Sequence, residues 1–275
     1  MSAVRVTKMS GAGNDFLVLG HEDGRRLARD AEWVRRICRR RLSVGADGVL
    51  IVEPVGSDRV RVEFRNPDGS PAFCGNGTRC AARYARLQEW AGDSMLLETA
   101  VGEVRAEIRG ELVRLTLPAP RELGRPSIAI GDEELSGWQV DAGVPHFVVN
   151  VDSLDDAPLA RWGPAARRHA QFGSAGVNLD LVEHGPGNQI RLRTWERGVE
   201  GETLACGSGA VAAAFAARLG GAAEEQSVIP ASGVTLLVQL PGPCEKPQSA
   251  VVTGDARVIF EGTLGADAAH GFEVS

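Results

Sequence analysis

Two short segments carry the residues best suited to chemistry. They are Cys74-Gly-Asn-Gly-Thr-Arg-Cys-Ala-Ala-Arg-Tyr-Ala and Cys206-Gly-Ser-Gly-Ala-Val-Ala-Ala-Ala-Phe-Ala-Ala. Each opens on a cysteine, passes through Gly-x-Gly and runs on into helix-favouring residues. A helix start offers unpaired backbone N–H groups and a partial positive charge. That field stabilises a thiolate and also binds a carboxylate. The glycines let the backbone approach a ligand with no Cβ in the way. If the two copies face each other about a pseudo-twofold axis, their sulfurs point at one ligand. One thiolate could then take the α-proton of an amino acid while the opposite thiol returns a proton to the other face. Converging N–H donors would hold the charge that builds on the carboxylate, as an oxyanion hole does.

The remaining cysteines, Cys38, Cys80 and Cys244, have no such context and read as small buried hydrophobes. Competing chemistries find little support. Gly207-Ser-Gly-Ala-Val-Ala fits a loose dinucleotide fingerprint, but no βαβ unit or ribose-binding carboxylate accompanies it. A pyridoxal phosphate enzyme needs a Schiff-base lysine; only Lys8 and Lys246 are available, and neither has a phosphate-cradle context. The five histidines are scattered, and no C-x-x-C or H-E-x-x-H occurs, so no metal site is expected.

The elements that must position these cysteines come in two copies. The Cys-Gly-x-Gly segments are offset by 132 residues. Asn14-Asp-Phe-Leu-Val matches Pro145-His-Phe-Val-Val with Phe16 against Phe147, an offset of 131. Val49-Leu-Ile-Val-Glu matches Leu179-Asp-Leu-Val-Glu, and Val60-Arg-Val-Glu-Phe-Arg-Asn matches Ile190-Arg-Leu-Arg-Thr-Trp-Glu, both at 130. Ala100-Val-Gly-Glu-Val aligns with Ala231-Ser-Gly-Val-Thr at 131. Five matches in one order at nearly one offset indicate a duplicated unit.

Within the first copy, residues 49–53, 60–64, 101–108 and 112–117 read as strands. In the second, 147–151, 179–182, 190–195, 234–240 and 257–261 do so. One helix per copy is expected after each Cys-Gly-x-Gly, ending near Gly92 and Gly220. The second of these has no charge before Arg218, and a helix apolar all round should be buried. Each copy is thus a central helix sheathed by strands, an α/β (α+β) arrangement. Leu117-Pro-Ala-Pro-Arg reads as the linker.

Bulk properties narrow the partners. The chain has 275 residues, 43% of them apolar, enough for one large domain or two of moderate size with hydrophobic cores. A net charge of −6 gives no basic footprint for nucleic acid or an anionic membrane. The amino-terminal residues lack a secretory apolar run, and an odd cysteine count without framework spacing fits the reducing cytoplasm.

At these residues the sequence resembles the diaminopimelate epimerase family. The matching segments are Thr7-Lys-Met-Ser-Gly-Ala-Gly-Asn-Asp-Phe, Gly45-Ala-Asp-Gly-Val, Asn66-Pro-Asp-Gly-Ser, Cys74-Gly-Asn-Gly-Thr-Arg-Cys, Gly143-Val-Pro-His, Val177-Asn-Leu-Asp-Leu-Val and Trp195-Glu-Arg-Gly-Val-Glu-Gly-Glu-Thr-Leu-Ala-Cys-Gly-Ser-Gly. The resemblance implies two pseudo-symmetric domains, each a central helix wrapped by a mostly antiparallel sheet, with the site in the cleft between them. Their expected bounds are 1–118 and 119–263, with a strand over 264–275 returning to the first. It also implies a homodimer, no cofactor, and interconversion of LL- and meso-diaminopimelate. By motif, Asn14, Asn66, Asn178 and Arg197 would hold the non-reacting end of the substrate. Glu196 would anchor an ammonium, and His146 and Glu196 would orient the thiols. Backbone N–H groups of Gly75, Asn76, Gly207 and Ser208 would bind the reacting carboxylate.

The sequence departs from the family pattern in places. Val144-Pro-His stands where Asn-Pro-His is common, the stretch from Asn66 to Cys74 is one residue shorter, and Gly-Val-Glu-Gly-Glu-Thr carries an extra residue. A related racemase for another amino acid, and a duplicated fold that only binds an amino acid, are the alternative readings.

Overall fold

The computed structural model describes residues 4–27 and 29–269. The chain divides into two compact units, Met1–Leu115 with Gly254–Ser275, and Thr116–Thr253.

In the first unit β1 (Arg5–Gly11) and β2 (Asn14–Gly20) form an antiparallel hairpin. The chain then crosses over through α1 (His21–Leu27) and α2 (Ala31–Ile37) to β3 (Gly48–Gly56), parallel to β2. Parallel neighbours require such a crossover. β4 (Arg59–Arg65) returns antiparallel to β3 and takes the short β5 (Pro71–Ala72) at its end. The second crossover is α3 (Gly75–Leu87), leading to β6 (Ser94–Thr99), parallel to β4, and then to antiparallel β7 (Gly102–Arg109). β8 (Leu112–Leu117) follows.

The second unit repeats this strand graph. It opens with β9 (Arg121–Gly124) and a hairpin of β10 (Ser127–Ile130) and β11 (Glu133–Ser136). β12 (Trp138–Asp141) is antiparallel to β13 (Pro145–Asn150), and α4 (Leu159–Arg167) crosses to β14 (Asn178–His184), parallel to β13. β15 (Gln189–Glu196) is antiparallel to β14 and carries the short β16 (Gly201–Thr203). α5 (Gly207–Leu219) then crosses to β17 (Glu225–Pro230), parallel to β15, which pairs with antiparallel β18 (Leu236–Gln239). β19 (Ala250–Asp255) and β20 (Arg257–Thr263) complete the series.

Both central helices are largely buried: α5 has almost no polar face to offer water, whereas α3 buries Asn76, Thr78 and Arg79 and leaves Arg86 and Leu87 exposed. Gly209 through Arg218 of α5 are buried, and the helix packs on β12, β13, β14, β15, β17 and β18. α3 packs likewise on β1, β2, β3, β4 and β7.

Several expectations need correction. Both helices begin one residue after the cysteine rather than after the whole Cys-Gly-x-Gly, so that each cysteine is itself the N-cap. α3 stops at Leu87, before Gly92, with Glu89 taking a positive φ just past its end. α1, α2 and α4 escaped the periodicity reading. The first two have only seven residues each, and α4 contains Pro164. β20 belongs to the first unit, where it lies antiparallel to β1 from Arg5–Thr263 to Ser10–Arg257. Its apolar pattern shows a strand but not its pairing partner. Of the strand expected over 264–275, residues 266–269 form a short 3-10 turn instead, and 270–275 lie outside the described residues. The ladders also move the Phe16–Phe147 match by one residue. Phe16 faces Gly48 as His146 faces Asn178, and Leu50 faces Phe64 as Asp180 faces Thr194. Among the described residues no helix is long and apolar enough to cross a membrane.

Candidate active site

The strongest signal in the sequence, the repeated Cys-Gly-x-Gly, becomes the same local structure twice. Cys74 and Cys206 have extended backbones and cap α3 and α5 with sulfur. The N–H of Gly77 points at Cys74 Sγ over 3.5 Å, and that of Gly209 at Cys206 Sγ over 3.4 Å. An N-cap side chain ordinarily uses oxygen for this task; here the capping atom is a nucleophile and proton carrier. The second glycine of each motif lies in close packing. A Cβ on Gly77 would stand 3.1 Å from the Leu50 side chain, and one on Gly209 would stand 2.8 Å from Asp180 Oδ1. A Cβ on Gly75 would meet nothing within 4 Å, so this first glycine faces open space.

In the first unit the hairpin and the helix start bring Asn14 and Asn76 together. Asn76 Nδ2 donates to Asn14 Oδ1 at 2.7 Å, and Asn14 Nδ2 donates to Asp47 Oδ2 at 3.0 Å. Asp15 pairs with Lys8 at 2.6 Å and with Arg40. Burial pushes the Asp15 carboxyl up, but hydrogen bonds and charge from Arg40 and Lys8 outweigh it and leave the pKa lowered. Arg79, only 1% exposed, donates from Nε to the Asp255 carbonyl at 3.2 Å, and burial lowers its pKa while the Cys80, Asp255 and Cys74 charges oppose that. Asn66 spends its hydrogen bonds locally, with Nδ2 on Ser70 Oγ at 3.0 Å and its N–H on the Ser70 carbonyl. It therefore also serves as a turn residue.

In the second unit a continuous polar chain reaches Cys206. Thr194 Oγ1 donates to Asp180 Oδ1 at 2.7 Å, and Asp180 Oδ2 lies 2.6 Å from His146 Nδ1. His146 Nε2 is 3.0 Å from Ser208 Oγ and 3.4 Å from Asn178 Nδ2. Ser208 Oγ is in turn 3.4 Å from Cys206 Sγ. His146 and Asp180 are wholly buried. The Arg197 N–H donates to Asn178 Oδ1 at 2.7 Å, while its guanidinium reaches the Ala175 carbonyl at 3.5 Å. The structure thus joins Cys206, His146, Asn178, Ser208 and the Arg197 backbone into one group.

The electrostatics of this half run against the expected thiolate. Burial first, then the Glu196 and Asp180 charges, push the Cys206 thiol well above its ordinary pKa; the Ser208 hydroxyl where it turns to the sulfur, and the Gly209 N–H, pull the other way. A helix N-terminus contributes about 0.3–1 kcal/mol, whereas full burial moves a pKa by up to ~3–5 units. Burial wins. The Glu196 carboxyl is raised as well, by burial, against the pull of hydrogen bonds from Thr203 and Cys206 and of nearby His146. Cys38 and Cys80 are pushed up to about 12 by burial, which makes them inert thiols.

A family model for diaminopimelate epimerase matches residues 6–116 and 138–259. A diaminopimelate epimerase from Aquifex aeolicus (strain VF5) is 34% identical over 271 residues, covering 94% of this chain and 96% of that protein. One from Archaeoglobus fulgidus is 36% identical, covering 95% and 96%. The chain belongs to the diaminopimelate epimerase family. Membership makes it an isomerase of the epimerase type. The fold is shared more widely. A hydroxyproline epimerase from Agrobacterium vitis, crystallised with trans-4-hydroxy-L-proline, superposes with a TM-score of 0.68 at 17% identity, over 96% of this chain and 93% of that one.

The sequence reading of the family's site missed Asp180 and Thr194 in the second unit, and Asp47, Asp15 and Arg40 in the first. For Asp180 the signal was present. In the duplicate alignment it stands against Leu50, a charged residue amid Leu-Asp-Leu-Val in a buried strand.

Proposed function

We propose that this chain interconverts LL- and meso-diaminopimelate by inverting one α-carbon, with Cys74 and Cys206 as proton-transferring thiols and no cofactor. The observation that carries this reading is that each half of a duplicated strand graph caps its buried helix with a cysteine sulfur. One sulfur, as thiolate, takes the α-proton; the other, as thiol, gives a proton to the opposite face. In between, negative charge moves from the α-carbon onto the carboxylate, and the exchanged sulfurs are set for the reverse reaction.

Amide N–H groups of Gly75, Asn76, Gly207 and Ser208 are the donors for that carboxylate. The open space at Gly75 supports this role. Asn14, Asn66, Asn178 and Arg197 serve the distal end of the substrate, Arg197 by pairing with its carboxylate. Hydrogen bonds from Asn76 and to Asp47 hold the Asn14 amide, and Asn178 is fixed by the Arg197 backbone. Glu196 is the counter-ion for the substrate ammonium, and His146 and Glu196 orient the reacting groups. On the same reading the enzyme works in the reducing cytoplasm as a homodimer, with nucleic acid and membrane playing no part.

The test is to incubate the protein with LL-diaminopimelate and separate the stereoisomers. Formation of the meso form, lost in Cys74→Ala and in Cys206→Ala, supports the proposal. Turnover of another amino acid and not of this one overturns the substrate assignment.

A further inference from the structure

We propose that Asp180 is a positioning residue for the Cys206 thiol, acting through His146 and Ser208. The proposal rests on Cys206 being a reacting thiol, as argued above, and concerns what sets the direction of its proton.

The argument starts from acceptor and donor counts. A carboxylate only accepts hydrogen bonds. Asp180 Oδ2, 2.6 Å from His146 Nδ1, accepts the Nδ1 proton in a hydrogen bond, and in the neutral imidazole this leaves Nε2 as an acceptor. Of the two groups facing Nε2, the Ser208 hydroxyl at 3.0 Å is the nearer donor and the Asn178 amide at 3.4 Å the farther, so the Ser208 proton turns to Nε2. With its proton so committed, Ser208 Oγ can offer only lone pairs to Cys206 Sγ at 3.4 Å. The Cys206 S–H is held by an acceptor, and the hydroxyl cannot donate to a thiolate without abandoning His146. The other charged group facing the thiol is Glu196 on β15, which disfavours a thiolate too.

The carboxylate is built firmly into this position. Thr194 Oγ1 occupies its other oxygen at 2.7 Å, and the start of α5 closes over it so tightly that only glycine fits at position 209. No feature of the strand demands a charge there. The first unit completes the same ladder positions with Phe16, Leu50 and Phe64.

Asp180→Asn separates this role from simple packing. With its amide oxygen kept on Thr194, the Asn amide nitrogen faces His146 Nδ1 and donates to it. The imidazole proton then moves to Nε2 and donates to Ser208, whose own proton turns to Cys206 Sγ and stabilises the thiolate. The experiment is alkylation of the full protein over a pH series, with Cys206 and Cys74 modification read separately by peptide mass spectrometry. The expected result is that the Cys206 midpoint falls by at least about one pH unit, a tenfold gain in thiolate at a fixed pH below it, while the Cys74 midpoint stays. In the same variant kcat falls with KM little changed, and adding Ser208→Ala abolishes the midpoint shift. An unchanged or raised Cys206 midpoint, or a shift that survives loss of Ser208, overturns the proposal. Should Asp180→Asn not fold, Ser208→Ala decides alone. A hydroxyl already committed to His146 leaves the Cys206 midpoint no higher, and a rise shows that it was donating to sulfur. These midpoints are read without substrate, so they stand or fall separately from the epimerase assignment.

Discussion

Beneath the first turn of α3 lie Phe16, Leu50 and Phe64; at the matching ladder positions beneath α5 lie His146, Asp180 and Thr194. The first set is an apolar layer, with Phe16 and Phe64 edge to face at 5.9 Å. The second is a buried hydrogen-bonded chain ending on a thiol. The charges differ as well. The Cys74 half carries a buried cation, Arg79, where the Cys206 half has Val211, and the Cys206 half carries Asp180 and Glu196. Duplication thus preserved the helix, its sulfur cap and its strands while the layer under the cap diverged. Stability comes more simply from the apolar layer, since a buried polar network stabilises only when every member is satisfied. What the polar layer adds is direction, because hydrogen bonds fix where a proton points and dispersion contacts do not.

The largest effect should come from the element that the halves share. Cys74→Ser and Cys206→Ser should each reduce epimerisation by roughly 10³-fold or more, the scale of losing a positioned acid or base. Melting temperatures should hardly move. Full activity in either variant would break the equivalence of the two caps.

The next effect concerns the unlike layers. His146→Phe copies the first half and strands Asp180 in the interior; breaking such a buried pair costs roughly 3–5 kcal/mol. Adding Asp180→Leu should restore most of that stability in a denaturant titration but none of the activity. Recovery of activity together with stability would mean that the polar layer only supports the fold.

The smallest effect is on pH dependence. Burial raises the Glu196 carboxyl, so its charged form is disfavoured in the folded chain. Below the ordinary glutamate value both states hold the proton and stability is unaffected. As pH rises, the unfolded chain ionises first and stability falls until the folded pKa is passed. Glu196→Gln removes that fall. Its melting temperature should exceed the wild type by on the order of 2 °C at neutral pH and equal it in acid. A lower melting temperature at neutral pH would show that the carboxylate stabilises its half.

Much of this was legible in the sequence because duplication and glycine spacing survive without tertiary information. The Cys-Gly-x-Gly repeats located both caps, and Ala210–Ala217 announced a buried helix. The bounds of α4 and the partner of β20 were not legible, since Pro164 masks the helical period and a strand's pattern does not name its neighbour. Asp180 was visible as a charge in an apolar run, but the meaning of that charge needed His146 and Thr194 beside it. The raised Cys206 pKa was hidden for the same reason, as local sequence shows the helix start and not the depth of burial.

The most direct test of two-thiol inversion is an early-time isotope experiment. LL-diaminopimelate is turned over briefly in deuterated water, and both stereoisomers are recovered for α-deuterium analysis. Separate acid and base sulfurs predict deuterium in the newly formed meso isomer while recovered LL substrate remains unlabelled. Equal labelling of recovered substrate and product would mean that a single group handles both faces, and would contradict the account.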